Sequence, residues 1–168
     1  MAKRHTALFT ELTDASTRIM VALTGQDKMH FIKESVFLSI NSQIRAFHCE
    51  SGGIVGFDQN GVIAAFQYDN VQSPKLYEYY PNTTFLNEVI NGRWMDNEIS
   101  FAGFVHSHLH NNQISPQDIS YCREILNLNS FMEFVLAGII DLSSKTDSVK
   151  WYEVLEDSVN ECEIQILD

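Results

Sequence analysis

The sequence predicts an α/β fold in which a mixed β-sheet is flanked by helices, and three observations support this prediction. Short runs of β-branched and aromatic residues alternate with segments whose apolar residues recur every three or four positions. Hydrophobic residues make up 45% of the 168 residues and charged residues 20%, which is a globular composition. Each of the three prolines falls at a predicted element boundary. These features predict one layered α/β sandwich.

The first half of the chain predicts a helix, a hairpin and a second helix. The first helix is predicted because apolar residues between positions 33 and 48 are spaced by four, four and three positions. Asn60-Gly61 supplies the positive φ angles that a tight hairpin turn needs between two apolar runs. The predicted elements are a helix over 33–48, strands over 52–57, 62–68 and 76–80, and a helix over 83–93.

The second half predicts the central strand of the sheet and its neighbours. Residues 99–106 form a β-rich apolar run, which is typical of a buried strand. Ser115-Pro116 predicts a helix start, because Ser is a preferred N-cap and Pro a preferred first helical residue. The predicted elements are a strand over 99–106, a helix over 116–128, strands over 131–140 and 149–155, and a weak edge strand over 163–167.

Charge and cysteine content exclude several classes of protein. Acidic residues number 22 and basic residues 11, which gives a net charge of −11 and argues against binding to nucleic acid or anionic lipid. No apolar run approaches the roughly 18 residues of a membrane span, and acids interrupt the segment that follows the basic start. The three cysteines are widely spaced, which fits a reducing compartment. We therefore expect a cytoplasmic protein that is not exported.

The chain divides into an N-terminal extension over residues 1–28 and a domain over residues 29–168. The extension is Thr-rich and mixed in character. It is compatible with a helix around 16–23 that packs on the domain, and equally with an extended arm.

A histidine cluster marks the candidate chemistry. Three of the six histidines fall within residues 106–110, directly after the predicted central strand. His106 and His108 project to the same face, because side chains two apart on a strand do so. Asp118 lies in the first turn of the next predicted helix and can fold back toward the strand end. Two imidazoles and one carboxylate would fill three positions of a tetrahedral zinc site and leave the fourth for water.

Each part of this pattern also has a structural explanation. A His-x-His pair at a strand end is commonly a hydrogen-bonded pair without a metal. Ser115-x-x-Asp118 is close to a capping box, in which Asp118 needs no metal. A histidine pair and a carboxylate in the next helix turn nevertheless favour a metal site when they are taken together, and the two roles of Asp118 are compatible.

Glu50 is the candidate general base for such a site. It precedes a glycine-rich segment in which the backbone can pass close to a neighbouring strand. A carboxylate beside the metal can accept a proton from water and pass it to a leaving amine. Taken alone, the segment favours the simpler interpretation of a solvated acid between a helix and a strand.

These segments together resemble the JAMM (JAB/MPN) metalloprotease domain of the prokaryotic type. The match covers roughly residues 29–140, and its parts are Glu50 with Gly52-Gly53-Ile54-Val55-Gly56, then His106-Ser107-His108, then Ser115-Pro116-Gln117-Asp118. The resemblance implies the MPN-like (cytidine-deaminase-like) α/β fold. It also implies that His106, His108 and Asp118 bind Zn²⁺.

Within the resemblance, Glu50 would be the acid/base and Ser115 would donate a hydrogen bond to the oxyanion of the tetrahedral intermediate. The implied activity is zinc-dependent hydrolysis of the amide bond after the C-terminus of a ubiquitin-like protein, which would be the partner, free or in a conjugate. The alternatives are a catalytically inactive MPN-type interaction domain and a zinc hydrolase of a smaller amide.

Two features depart from the family pattern. Leu109 stands where the family usually has Pro, and the spacing from His108 to Asp118 is one residue shorter than expected. His110 extends the histidine spacing into the loop. We expect these departures to change the shape of the loop and the choice of substrate more than the metal site.

Overall fold

The architecture is known from a computed structural model that describes residues 29–69 and 79–168. Eight strands and three helices are seen there, with a π-helical turn at Ile90–Trp94 that continues the second helix. The strands are β1 (His30–Lys33), β2 (Gly52–Phe57), β3 (Val62–Tyr68), β4 (Ser100–His108), β5 (Val135–Asp141), β6 (Lys150–Val154), β7 (Val159–Cys162) and β8 (Ile164–Leu167). The helices are α1 (Glu34–Ile44), α2 (Thr83–Val89) and α3 (Pro116–Leu128).

All eight strands form one mixed sheet in the order β7-β6-β5-β4-β2-β3-β1-β8. β4 lies near its centre, antiparallel to β2 and parallel to β5. The predicted hairpin is confirmed as the antiparallel pair of β2 and β3. The prediction of a mixed sheet flanked by helices is therefore confirmed.

Helices cover both faces of the sheet. Since successive residues of a strand point to opposite faces, each strand contributes side chains to two cores. On one face α2 and α3 pack against Ile54, Phe104 and Ile139. On the other face α1 packs against Val55, Val105 and Ile140. β4 is thus held between two apolar cores. The histidine pair lies at the carboxyl end of this strand.

The two edges of the sheet meet at one corner. β7 and β8 are the opposite edge strands, yet only Glu163 separates them in sequence. At the same corner the Nε2 atom of His30 on β1 lies 2.6 Å from the Oε1 atom of Glu153 on β6. The sheet therefore curls until its edges are adjacent.

Several element predictions need correction. β1 and β7 were not predicted, and the strand predicted over 131–140 begins only at Val135, after a turn in which the Met132 amide donates to the Asn129 carbonyl. The first helix ends at Ile44 rather than residue 48, and Phe47 beyond it is exposed. α3 and β3 have the predicted bounds.

Two predictions fall wholly or partly outside the described residues. The extension over 1–28 lies outside them, so its helix, its arm and its boundary stay predictions. The strand predicted over 76–80 lies mostly outside them, and its last two residues are not in a strand. Within the described ranges, no helix is both long and apolar enough to cross a membrane.

Candidate metal centre

The central strand presents the histidine pair at its carboxyl end. His106 and His108 are the seventh and ninth residues of β4 and project to the same side, with ring centroids 4.9 Å apart. His106 is buried and His108 is half-buried. Their Nε2 atoms lie 3.0 Å apart. The pair is therefore convergent and partly shielded from water.

Asp118 reaches the pair from the first turn of α3. The Asp118 amide donates to Ser115 Oγ at 3.1 Å, and the Ser115 amide donates to Asp118 Oδ2 at 2.9 Å. These two bonds form the complete capping box. Oδ1 of the same carboxylate lies 3.2 Å from His106 Nε2, and Oδ2 lies 3.4 Å from His108 Nε2. The cap and the approach to the histidines thus coexist in one side chain.

The three side chains are close enough to share one ion. One ligand atom from each of His106, His108 and Asp118 lies within 4.8 Å of the others. The two Nε2 atoms are 3.0 Å apart, near the roughly 3.3 Å that separates neighbouring ligand atoms of a tetrahedral zinc. Two imidazoles with a carboxylate suit zinc, and also iron(II). The group of His106, His108 and Asp118 could therefore hold a metal ion.

Electrostatics within the group favour a bound cation. Burial would raise the pKa of Asp118, but hydrogen bonds from His106 and His108 hold that pKa well below its usual value. Burial would likewise lower the pKa of His108, but the hydrogen bond and negative charge of Asp118 outweigh it and raise that pKa. The carboxylate thus stays ionised and draws positive charge into the site, either as a proton or as a metal ion.

Glu50 lies near this group, two residues before β2. The Ser51 amide donates to Ser107 Oγ at 3.1 Å, and the Ser107 amide donates to the Ser51 carbonyl at 2.9 Å. These bonds fasten the residue after Glu50 to the residue between the two histidines. Glu50 lies between α1 and β2, as expected, and it is half-buried.

The environment of Glu50 is that of a partly buried carboxylate near positive charge. Burial raises its pKa, the charges of His108 and His106 oppose the rise, and the charge of Asp118 adds to it. The backbone amide of Leu109 also lowers this pKa. A proline at that position would have no such effect, because proline has no amide hydrogen. Leu109 therefore supplies a backbone donor near the candidate base that a proline would lack.

Close backbone approach explains the glycines that follow Glu50. A Cβ atom at Gly52 would lie 2.6 Å from the Val105 carbonyl oxygen and 2.7 Å from His106 Cβ. Glycine is therefore required where β2 passes the first histidine. His110 is exposed in the loop after β4 and is not part of the three-residue group.

Tyr79, a neighbour of His106, and Asp69, the partner of Tyr79, were not predicted from the sequence. The ring of Tyr79 stacks on the His106 imidazole, with centroids 6.0 Å apart and planes 25° apart. The Tyr79 hydroxyl donates to Oδ2 of buried Asp69 at 2.9 Å. No spacing or motif in the sequence signals this contact, because it joins segments that only the folded chain brings together.

Comparisons with known proteins show similarity of fold and name no function for this chain. No family model and no curated protein matches the sequence. The chain is similar in structure to protein DSY2949 from Desulfitobacterium hafniense, with a TM-score of 0.61 and 19% identity over 83% of this chain and 94% of that one. At this identity the similarity shows the fold alone.

Two other solved structures overlap more loosely. One is AF2198, a JAB1/MPN domain protein from Archaeoglobus fulgidus, with a TM-score of 0.49 and 13% identity over 82% of this chain and 99% of that one. The other is described as JAMM, a metalloprotease-like zinc site in the proteasome and signalosome, with a TM-score of 0.47 and 13% identity over 84% of this chain and 100% of that one.

Proposed function

We propose that this protein is a zinc-dependent isopeptidase or peptidase that hydrolyses the amide bond after the C-terminus of a ubiquitin-like protein. The observation that carries the proposal is the meeting of Glu50, two residues before β2, with His106, His108 and Asp118. The four residues come from three separate segments and match the order and the chemistry of the family that the sequence resembles.

In this proposal the ion is Zn²⁺, held by His106, His108 and Asp118, whose donor atoms have suitable spacing. When bound, zinc supplies Lewis acidity and makes water acidic enough to ionise near neutral pH. Glu50 accepts the proton of the attacking water and passes it to the departing amine. Ser115, at the N-cap of α3, donates a hydrogen bond to the oxyanion.

The edge of β3 beyond Ile63 favours the binding of an extended substrate. β1 pairs with β3 only at Val62 and Ile63, and no other described strand pairs with the same edge of β3 further along. This edge lies in a groove lined by residues from α1 and by Arg93 and Trp94. A tail bound there as an added strand would run toward the start of β2, because Tyr68 pairs with Gly53.

We place this activity in the cytoplasm. The three cysteines are free thiols, as a reducing compartment maintains them. The excess of acidic residues also makes nucleic acid and anionic membranes poor partners.

The deciding experiment measures zinc content and cleavage together. Wild-type protein should bind one zinc and cleave a fusion that carries a peptide after a ubiquitin-like C-terminus, and chelation should abolish both. Glu50→Gln should keep zinc but lose roughly 100-fold or more of turnover, since general-base groups contribute on the order of 10²–10⁴.

Three outcomes would contradict the proposal. Wild-type turnover in Glu50→Gln would remove Glu50 from the mechanism. Absence of bound zinc in the wild-type protein would favour an inactive interaction domain. Zinc binding with cleavage of small amides only would favour hydrolysis of a smaller substrate.

A further inference from the structure

We propose that Tyr79 is a positioning residue, which, anchored by Asp69, fixes the imidazole of His106 in the orientation that binds the metal. The inference rests on the metal site of the proposed function. It adds Tyr79 and Asp69 to the residues that act on the first ligand. Three observations support it.

The first observation is the fit of the Tyr79 ring. It lies nearly parallel to the His106 imidazole, with centroids 6.0 Å apart. The same ring closely approaches the backbone of β2, since a Cβ atom at Gly52 would lie 2.8 Å from Tyr79 Cε1. Tyr79 therefore occupies the space between the strand and the histidine, and it restricts rotation of the imidazole.

The second observation concerns the other nitrogen of His106. Metal-binding histidines almost always donate their second N–H group to a carboxylate, a carbonyl or water, which fixes the ring. Nδ1 of His106 is buried and has no hydrogen-bond partner among residues 29–69 and 79–168. Packing therefore takes the place of a hydrogen bond on this side of the ring, whose aromatic neighbours are Tyr79, Phe104 and His108.

The third observation is the anchor of Tyr79. Its hydroxyl and the Asn82 amide both donate to Asp69 Oδ2, at 2.9 and 2.7 Å. The Asp69 amide in turn donates to the Gly52 carbonyl at 2.9 Å. Asp69 is 1% exposed. One buried carboxylate thus links β2, the aromatic ring and the start of α2, so the ring has a fixed position against His106.

Loss of the ring should weaken metal binding without removing a ligand. An imidazole that is free to rotate must be ordered when the metal binds, and outer residues of this kind change metal affinity about 10- to 100-fold. Tyr79→Leu should therefore reduce zinc affinity by about that factor. Tyr79→Phe retains the flat ring and loses only the bond to Asp69, so its zinc affinity should fall much less.

The test measures zinc affinity by competition with a chelator, together with thermal unfolding of the metal-free protein. Phe57→Leu is the matched control, because Phe57 is 5% exposed at the opposite end of β2. That variant should lower thermal stability while leaving zinc affinity unchanged. If Tyr79→Leu does not fold, Tyr79→Met replaces it in the same measurement, because methionine fills volume without a flat face.

A visible absorption spectrum with Co²⁺ in place of zinc supplies a second readout. Tyr79→Leu should change the ligand-field bands, and Phe57→Leu should not. The inference is overturned if a folded Tyr79→Leu or Tyr79→Met variant binds zinc as tightly as wild type with the same cobalt spectrum. Failure of the proposed function is distinct, since wild-type protein would then bind no zinc or bind it without cleaving the fusion.

Discussion

At the scale of single residues, the backbone amide of Leu109 influences the candidate base. It lowers the pKa of Glu50, whereas burial raises that pKa. An ionised Glu50 is the form that accepts a proton. The amide therefore keeps Glu50 ionised, and able to accept a proton, down to a lower pH.

Replacing Leu109 by Pro tests this effect. Leu109→Pro removes the donor, so the pKa of Glu50 should rise further. On acidification, the activity of the variant should then begin to fall at a higher pH than that of the wild type. Leu109→Ala is the control, because it keeps the amide and should keep the wild-type acid limb. The measurement is the pH dependence of kcat/KM on the peptide fusion. If kcat/KM fell over the same range of low pH in all three proteins, the Leu109 amide would have no role.

At the scale of elements, α3 combines a cap with a ligand. Its start was predictable, because Ser115-Pro116 is a strong local signal, and so was the face shared by His106 and His108. β7 was not predicted, since it has only four residues, of which Asn160 and Glu161 are polar. β1 was not predictable, since its four residues are ordered by pairing with distant strands. Tyr79 was missed for the same reason.

The cap of α3 gives a prediction at this scale. Ser115→Ala removes the oxygen that accepts the Asp118 amide, which should lower the free energy of unfolding by about 1 kcal/mol. Turnover should also fall, while zinc content changes little, because Asp118 keeps both histidine contacts. Urea unfolding and metal analysis measure the two effects. Ser115→Thr retains the oxygen and should stay near wild-type stability, whereas equal losses in both variants would count against the cap.

At the scale of the whole molecule, a nearly buried side-chain contact joins two distant strands of the curled sheet. The side chain of His30 is 9% exposed and that of Glu153 is 14% exposed, with 2.6 Å between Nε2 and Oε1. His30 also packs against Phe134, with ring centroids 5.4 Å apart. Strands far apart in the sheet order are thereby joined.

Loss of this contact should destabilise the fold as a whole. His30→Ala should lower the free energy of unfolding by about 1–3 kcal/mol, because a nearly buried carboxylate is left without its partner. Lys33→Ala removes an exposed partner of Asp58 at 3.7 Å, and a change below about 0.5 kcal/mol is expected. Denaturant titration of the metal-free variants measures both. Equal effects would mean that the closure contributes no more than a surface ion pair.

The meeting of the sheet edges at Glu163 also orders the events of folding. β8 pairs in parallel with β1, in a register that sets His30 opposite Ile164. The outer side of the first described strand therefore stays unpaired until residues 164–167 have left the ribosome. Contacts between such distant positions slow folding. We expect nascent chains lacking residues 164–167 to retain an open sheet edge and to depend on chaperones until synthesis passes that point.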